Sequence, residues 1–323
     1  MKPFLHSIPL LLFVLILSAC KKQEAGTVKS FHATSGTRYI DEIFSSVDTS
    51  LFKVGYRIAK TYHSSDTILK MNVYQPAGDT LRLRPAVVFI HGGGFSGGTE
   101  KDYYADSICS ALARRGYVTI SIGYRLGIAW APHMSNADSI LKQLEAAYRA
   151  DQDARAAIRY IRKSSSIGRI DTTKMFIGGA SAGAITSILL AYLDQDELSS
   201  DFVLRNGLLD GTGTYDYPGY STKVKGVINM EGVILDTTWI KTGDVPIFSY
   251  YGTADPFYIV SGVAPASPYV PIFGGQGIRL RASHLGIPNG MMTYPGGVHG
   301  SVYDAANIHA TMNSMSGAIQ AQL

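Results

Sequence analysis

The chain has 323 residues, 46% of them apolar and 17% charged, with 34 Gly and 13 Pro; this is the composition of a folded globular protein and excludes collagen-like and disordered chains. Lys and Arg number 29 against 25 Asp and Glu, and the net charge of +4 is not gathered into a basic stripe interleaved with aromatics, so nucleic-acid binding is not expected. Two cysteines, Cys20 and Cys109, make no disulfide framework and fall in no zinc-type spacing, so chemistry is expected from ordinary side chains, without metal or organic cofactor.

At the start of the chain Lys2 precedes an apolar run over 8–17, followed by Leu17-Ser18-Ala19-Cys20 and the polar stretch 21–24. The run is far short of the about 20 residues a bilayer span needs, and it has the layout of a secretory signal. The segment resembles a bacterial lipoprotein signal. That resemblance implies cleavage before Cys20, lipidation of Cys20, and an exported protein anchored to a membrane. Lys21, not Asp, follows the cysteine, which implies an outer-membrane or surface address. Residues 1–19 are therefore expected to be a signal peptide, 20–50 a lipidated cysteine with a polar Ser/Thr/Gly-rich tether, and 51–323 one folded domain.

Within that domain, β-branched and apolar runs bounded by Gly, Pro or polar clusters predict eight strands, at 55–59, 68–74, 86–90, 117–122, 174–178, 225–230, 245–251 and 291–294. Apolar residues at three- and four-residue spacing predict helices at 102–115, 137–164, 182–193 and 277–285, with His309 in a final helical segment. In the second helix Leu141, Leu144, Ala147, Tyr148, Ala154, Ala157, Ile158 and Ile161 form the apolar stripe. Cys109, alone in a helical pattern, reads as a small buried apolar residue. Alternating strands and helices imply an α/β fold, a mostly parallel sheet covered by helices on both faces. The continuously apolar runs 86–90 and 175–177 suit strands buried on both sides. Two stretches, 194–223 and 256–275, exceed ordinary connection length and read as irregular cover over the site. Ligands in such sheets bind beyond the carboxyl ends of the strands, and the chemistry is sought there.

Gly179-Ala180-Ser181-Ala182-Gly183 lies between a predicted strand and a predicted helix. A sharp strand-to-helix turn lifts a serine hydroxyl above the sheet, and the flanking glycines let backbone pass close by. Ser181 is the expected nucleophile. His91-Gly92-Gly93-Gly94 ends an earlier apolar strand; amides of Gly93 and Gly94, together with that of Ala182, are expected to form an oxyanion hole. His91, upstream of the serine, is expected to brace this loop and not to carry protons. A serine hydroxyl needs a base oriented by a carboxylate. Asp255, in Gly252-Thr253-Ala254-Asp255-Pro256 after the seventh strand, and His299, in Gly296-Gly297-Val298-His299-Gly300 after the eighth, fill those roles better than His284 or His309, which lie in helical runs. Glu231, after the sixth strand, is a second candidate acid, with pocket polarity or a structural bond the simpler reading. Asp153 and Arg155 read as a fold-bracing ion pair. Trp130, Tyr124, Tyr215, Tyr217 and Tyr258 are candidate aromatic walls.

The order Ser181, Asp255, His299 is that of the α/β-hydrolases. Together with the glycine loop, Gly123-Tyr124-Arg125-Leu126-Gly127 and the stretch 151–159, these motifs resemble bacterial carboxylesterases of the α/β-hydrolase fold. The likeness is to the acetyl-xylan and feruloyl esterase type, with hormone-sensitive-lipase-like esterases next. It covers about residues 68–309 and implies hydrolysis of short acyl esters, acetyl or feruloyl esters on plant polysaccharide among them. The same parts would serve a peptidase or amidase, and a surface binding protein that keeps the fold without activity is the reading from another class.

Overall fold

The computed structural model describes residues 37–61, 65–128, 136–194, 216–264 and 267–323. Among the described residues there are ten strands: β1 (Val47–Lys60), β2 (Asp66–Pro76), β3 (Arg84–Ile90), β4 (Val118–Ile122), β5 (Ile170–Ala180), β6 (Val227–Met230), β7 (Ile247–Gly252), β8 (Gly262–Ala264), β9 (Ser267–Ile272) and β10 (Asn289–Tyr294). The α-helices among the described residues are α1 (Tyr103–Arg114), α2 (Asn136–Lys163), α3 (Ala182–Tyr192), α4 (Gly275–His284) and α5 (Ile308–Gln320). No helix among the described residues is long and apolar enough to cross a membrane.

Each of the eight predicted strands enters one sheet, in the order β1-β2-β4-β3-β5-β6-β7-β10. The strands from β4 to β10 run parallel, and β2 and β1 add antiparallel at one edge. All seven residues of β3 and all five of β4 are buried, because both faces of the sheet are covered. The period of two then divides each strand between two cores. Ala86, Val88 and Ile90 pack with the apolar residues of α2, α3 and α4, while Val87 and Phe89 pack with those of α1 and α5. At the open edge β1 carries register shifts and a left-handed Lys53, irregularities that discourage pairing with another chain.

Four sequence expectations need correction. The fold begins at or before Thr37, not near Leu51: the Tyr39 and Phe44 amides donate to the Arg115 and Arg114 carbonyls, and Glu42 pairs with both guanidinium groups. This strap is held by ionic and backbone bonds and not by a stripe of apolar residues, so it has no periodicity to read. The stretch 256–275 contains the antiparallel pair β8–β9, tied back by a bridge between Ile234 and Phe273. Leu141 of α2 is 42% exposed, whereas Ala154, Ala157 and Ile158 of the same stripe are fully buried. Asp153 and Arg155 do brace the fold, but with other partners: Asp153 with Arg57 and Arg125, Arg155 with Asp151 one turn back. Cys109 is buried, as expected. Cys20, Trp130, Tyr215 and most of the 194–223 stretch lie outside the described residues.

Candidate active site

The strand ends converge on one place. β5 runs into Ser181, whose φ of +51° and ψ of −116° put it in a turn that side-chain-bearing residues rarely adopt. The turn is held from both sides: the Ser181 amide donates to the Met230 carbonyl at the end of β6, and the Ser181 carbonyl accepts from Ile185 in the first turn of α3. The glycines of the motif are there for space. A Cβ on Gly183 would lie 2.0 Å from the Ile90 carbonyl oxygen, and one on Gly179 would lie 2.4 Å from the Gly183 carbonyl carbon. Only bare backbone lets α3 start this close to β3.

β7 and β10 are neighbours, and the turns that follow them are interlocked. Ala254 donates to the Gly297 carbonyl at 2.8 Å, and Gly296 donates to Thr253 Oγ1 at 2.8 Å. Through this junction Asp255 and His299, 44 residues apart, come into contact. His299 Nδ1 lies 2.9 Å from Asp255 Oδ2, and its Nε2 lies 2.9 Å from Ser181 Oγ. The other Asp255 oxygen accepts from the Phe257 amide at 2.8 Å, which fixes the carboxylate's rotation. Phe257 in turn sets its ring edge-on to the imidazole, centroids 5.2 Å apart. Burial of His299 disfavours its charged form, yet the hydrogen bond to Asp255 and the charges of Glu231 and Asp255 outweigh it and raise its pKa above the ordinary 6.5. With Nδ1 engaged by a carboxylate, Nε2 faces the serine as the acceptor.

On the other side of Ser181 lies the glycine loop after β3. A Cβ on Gly92 would sit 3.4 Å from Ser181 Cβ, so loop and serine are in contact. The Gly92 amide donates to the Tyr104 hydroxyl, and the Tyr124 hydroxyl donates to the His91 and Gly92 carbonyls. Gly93 and Gly94 follow with φ of +105° and +60° and are exposed. Among the described residues their amides, and that of Ala182 at the start of α3, have no intramolecular acceptor. His91 is buried, bonds the Gly92 carbonyl through Nδ1 at 2.8 Å and stacks on Tyr124. Burial lowers its pKa, so it stays neutral and acts as the brace expected of it. His284 and His309 are exposed on α4 and α5.

Three further residues matter. Tyr104 and Phe257 were not singled out by the sequence; Phe257 stands two residues past Asp255, and that proximity is the only signal available. Glu231, weighed as a candidate acid, is fully buried at the end of β6, accepts from the Gly300 amide at 2.7 Å, and lies 3.7 Å from His299 Nδ1. A cavity of about 110 Å³ lies beside the site, lined by Phe257, whose ring meets His299, and by Phe95 of the glycine loop, Ile185 of α3, and Val233 and Leu235 beyond β6. Of the proposed aromatic walls, Tyr124 serves the loop, Tyr258 leans on Tyr251, and Tyr217 bonds the Tyr56 carbonyl and packs against Tyr160.

A family model, BD-FAE, matches residues 71–246, more than half of the chain. The chain belongs to the BD-FAE family. Over 152 residues it is 27% identical to Esterase cest-33 of Caenorhabditis elegans, a match covering 46% of this chain and 26% of that protein. Over 131 residues it is 30% identical to the fumonisin B1 esterase of Sphingopyxis macrogoltabida, covering 40% and 23%. The matches thus span about a quarter of the length of these curated relatives. Among solved structures, a truncated carbohydrate esterase from gut microbiota superposes with a TM-score of 0.58 at 18% identity, over 89% of this chain and 99% of that one. Esterase 2 of Thermogutta terrifontis phosphorylated by paraoxon gives 0.55 at 20% identity, over 83% and 93%. At such identities the likeness is one of fold, and the BD-FAE chain has the α/β-hydrolase fold.

Proposed function

We propose that this BD-FAE chain is a serine carboxylesterase with Ser181 as nucleophile, His299 as general acid and base, Asp255 as the acid that orients His299, and the amides of Gly93, Gly94 and Ala182 as oxyanion hole. The observation that carries this reading is the continuous hydrogen-bonded line Ser181 Oγ, His299 Nε2, His299 Nδ1, Asp255 Oδ2, each link 2.9 Å. In the reaction His299 takes the Ser181 proton as Oγ attacks the ester carbonyl carbon, and the free amides receive the oxygen as it becomes negative. The imidazolium then gives its proton to the departing alcohol. Water, deprotonated by the same nitrogen, hydrolyses the acyl-serine and frees the acid.

The apolar cavity supports a short acyl chain or one aromatic ring as the group held there. Its volume of about 110 Å³ compares with the roughly 150 Å³ of an engineered cavity that binds benzene. Acetyl or feruloyl esters on plant polysaccharide are the substrates proposed, a reading that the carbohydrate esterase among the structural neighbours supports. We propose further that the chain is exported and held at an outer membrane or cell surface through lipid on Cys20. The support is the signal-like sequence alone. Reaction with a fluorophosphonate tests the nucleophile directly: the expected result is one adduct, mapped by mass spectrometry to the peptide bearing Ser181 and lost in Ser181→Ala. An unlabelled chain contradicts the reading.

A further inference from the structure

Five adjacent strand ends, those of β3, β5, β6, β7 and β10, feed the site, and the reaction above uses all but that of β6. β5 supplies Ser181, β7 leads to Asp255 and β10 to His299; β6, between β5 and β7, ends at Glu231. Glu231 occupies an unfavourable position. It is fully buried, its φ of +61° lies in the left-handed region, and its amide is pinned to the Tyr250 carbonyl. Oε2 accepts from Gly300, the residue after His299, at 2.7 Å and lies 3.7 Å from His299 Nδ1. The Val302 amide also points toward the carboxylate, and Oε1 meets no donor in full hydrogen-bond geometry among the described residues. Anchoring the Gly300 amide requires only a neutral acceptor. A buried carboxylate set beside a second one and 3.7 Å from an imidazole nitrogen is more than anchoring needs.

What a charge does there follows from the geometry. Glu231, Asp255 and His299 bring one atom each within 4.8 Å of one another, so the imidazole nitrogen that is not facing Ser181 looks onto two carboxyl groups. We propose that Glu231 is a positioning residue for the ester reaction: it anchors the His299 turn through the Gly300 amide and, with Asp255, forms a two-carboxylate clamp whose charge stabilises the imidazolium of His299. The proposal rests on the serine-esterase reading. The other titratable groups facing the clamp are the phenols of Tyr251 and Tyr303; burial pushes both up, so they remain neutral where an esterase is assayed. Burial likewise pushes Glu231 up to about 7, against the opposing pull of His299 and the Gly300 amide.

The test compares kcat/KM and kcat across pH for the full chain, Glu231→Gln, Asp255→Asn and the double variant on a short acyl ester. Glutamine keeps an acceptor for Gly300 and removes the charge. The clamp requires the acid limb of Glu231→Gln to move to lower pH, because His299 loses a charge that raises its pKa, while the plateau kcat falls about three- to tenfold. It also requires the double variant to fall at least about tenfold below Asp255→Asn, whose residual activity Glu231 sustains. An unmoved acid limb, or a double variant equal to Asp255→Asn, overturns the proposal. A second readout does not depend on turnover: NMR titration of His299, assigned with His299→Gln, with exposed His284 and His309 as internal controls. A His299 midpoint that Glu231→Gln leaves in place overturns the clamp whether or not esters are cleaved. Failure of the esterase reading shows separately, as a wild-type chain inert toward every ester.

Discussion

Ser181 holds a backbone conformation of φ +51° that costs on the order of 1–3 kcal/mol, and the hydrogen bonds from the ends of β6 and α3 keep it there. In this turn Oγ faces His299 Nε2 at 2.9 Å. Ser181→Ala is therefore expected to lower kcat for ester hydrolysis about 10⁴-fold or more while shifting the unfolding free energy by less than about 1 kcal/mol. Kinetics and a denaturation curve on the same preparation check both. In the proposed reaction His299 sets the pH dependence. Its pKa is raised above 6.5 by Asp255 and Glu231, and only the neutral ring accepts the serine proton. Activity is thus expected to fall as pH drops, with the midpoint of the kcat/KM limb above that of an unperturbed histidine. A limb centred below 6.5 contradicts the carboxylate environment described for this ring.

At the scale of elements, the site is an arrangement of strand ends, and the packing that permits it is specific. Gly183 is the sharpest instance, because an added Cβ meets the Ile90 carbonyl at 2.0 Å. Backbone, unlike a flexible side chain, cannot swing aside. Gly183→Ala is expected to cost about 3 kcal/mol or more and to disable the serine turn along with the fold; urea titration measures the first effect and fluorophosphonate labelling the second. Arg115, at the end of α1, is 2% exposed and binds the Ile40 carbonyl, Glu42 and Asn313, joining the 37–46 strap to α1 and α5. Arg115→Met is expected to lower stability by about 2–4 kcal/mol, because the Ile40 and Ala111 carbonyls and Asn313 lose this donor and Glu42 keeps only Arg114.

The same elements explain what could be read from the sequence. The parallel strands were legible because full burial leaves uninterrupted apolar runs, and Ser181 because its motif is local and flanked by the strand and helix it requires. Asp255 and His299 were legible through chain order and the glycines about them. The strap was not, since its anchors Arg114 and Arg115 lie some seventy residues away and no periodicity records an ionic contact. Nor was the β8–β9 pair, whose prolines and glycines resemble loop. Glu231 was visible as a residue after a strand, but its proximity to His299 arises only when β6 and β10 are both seated in the sheet.

At the scale of the whole molecule, an α/β-hydrolase frame, a hydrogen-bonded Ser-His-Asp line and a small apolar cavity together support the proposed ester hydrolysis. Cavity size sets an expected order among substrates: acetyl, butyryl and feruloyl esters are favoured over octanoyl, whose chain exceeds the space bounded by Phe95, Ile185 and Phe257. The most direct measurement is initial-rate hydrolysis of these four esters by the wild-type chain beside Ser181→Ala. The expected result is turnover of the short or feruloyl esters by the wild type and near-complete loss in the variant. Equal inertness of both toward all four esters contradicts it, and would return the chain to the amide-cleaving or binding-protein readings of the same fold.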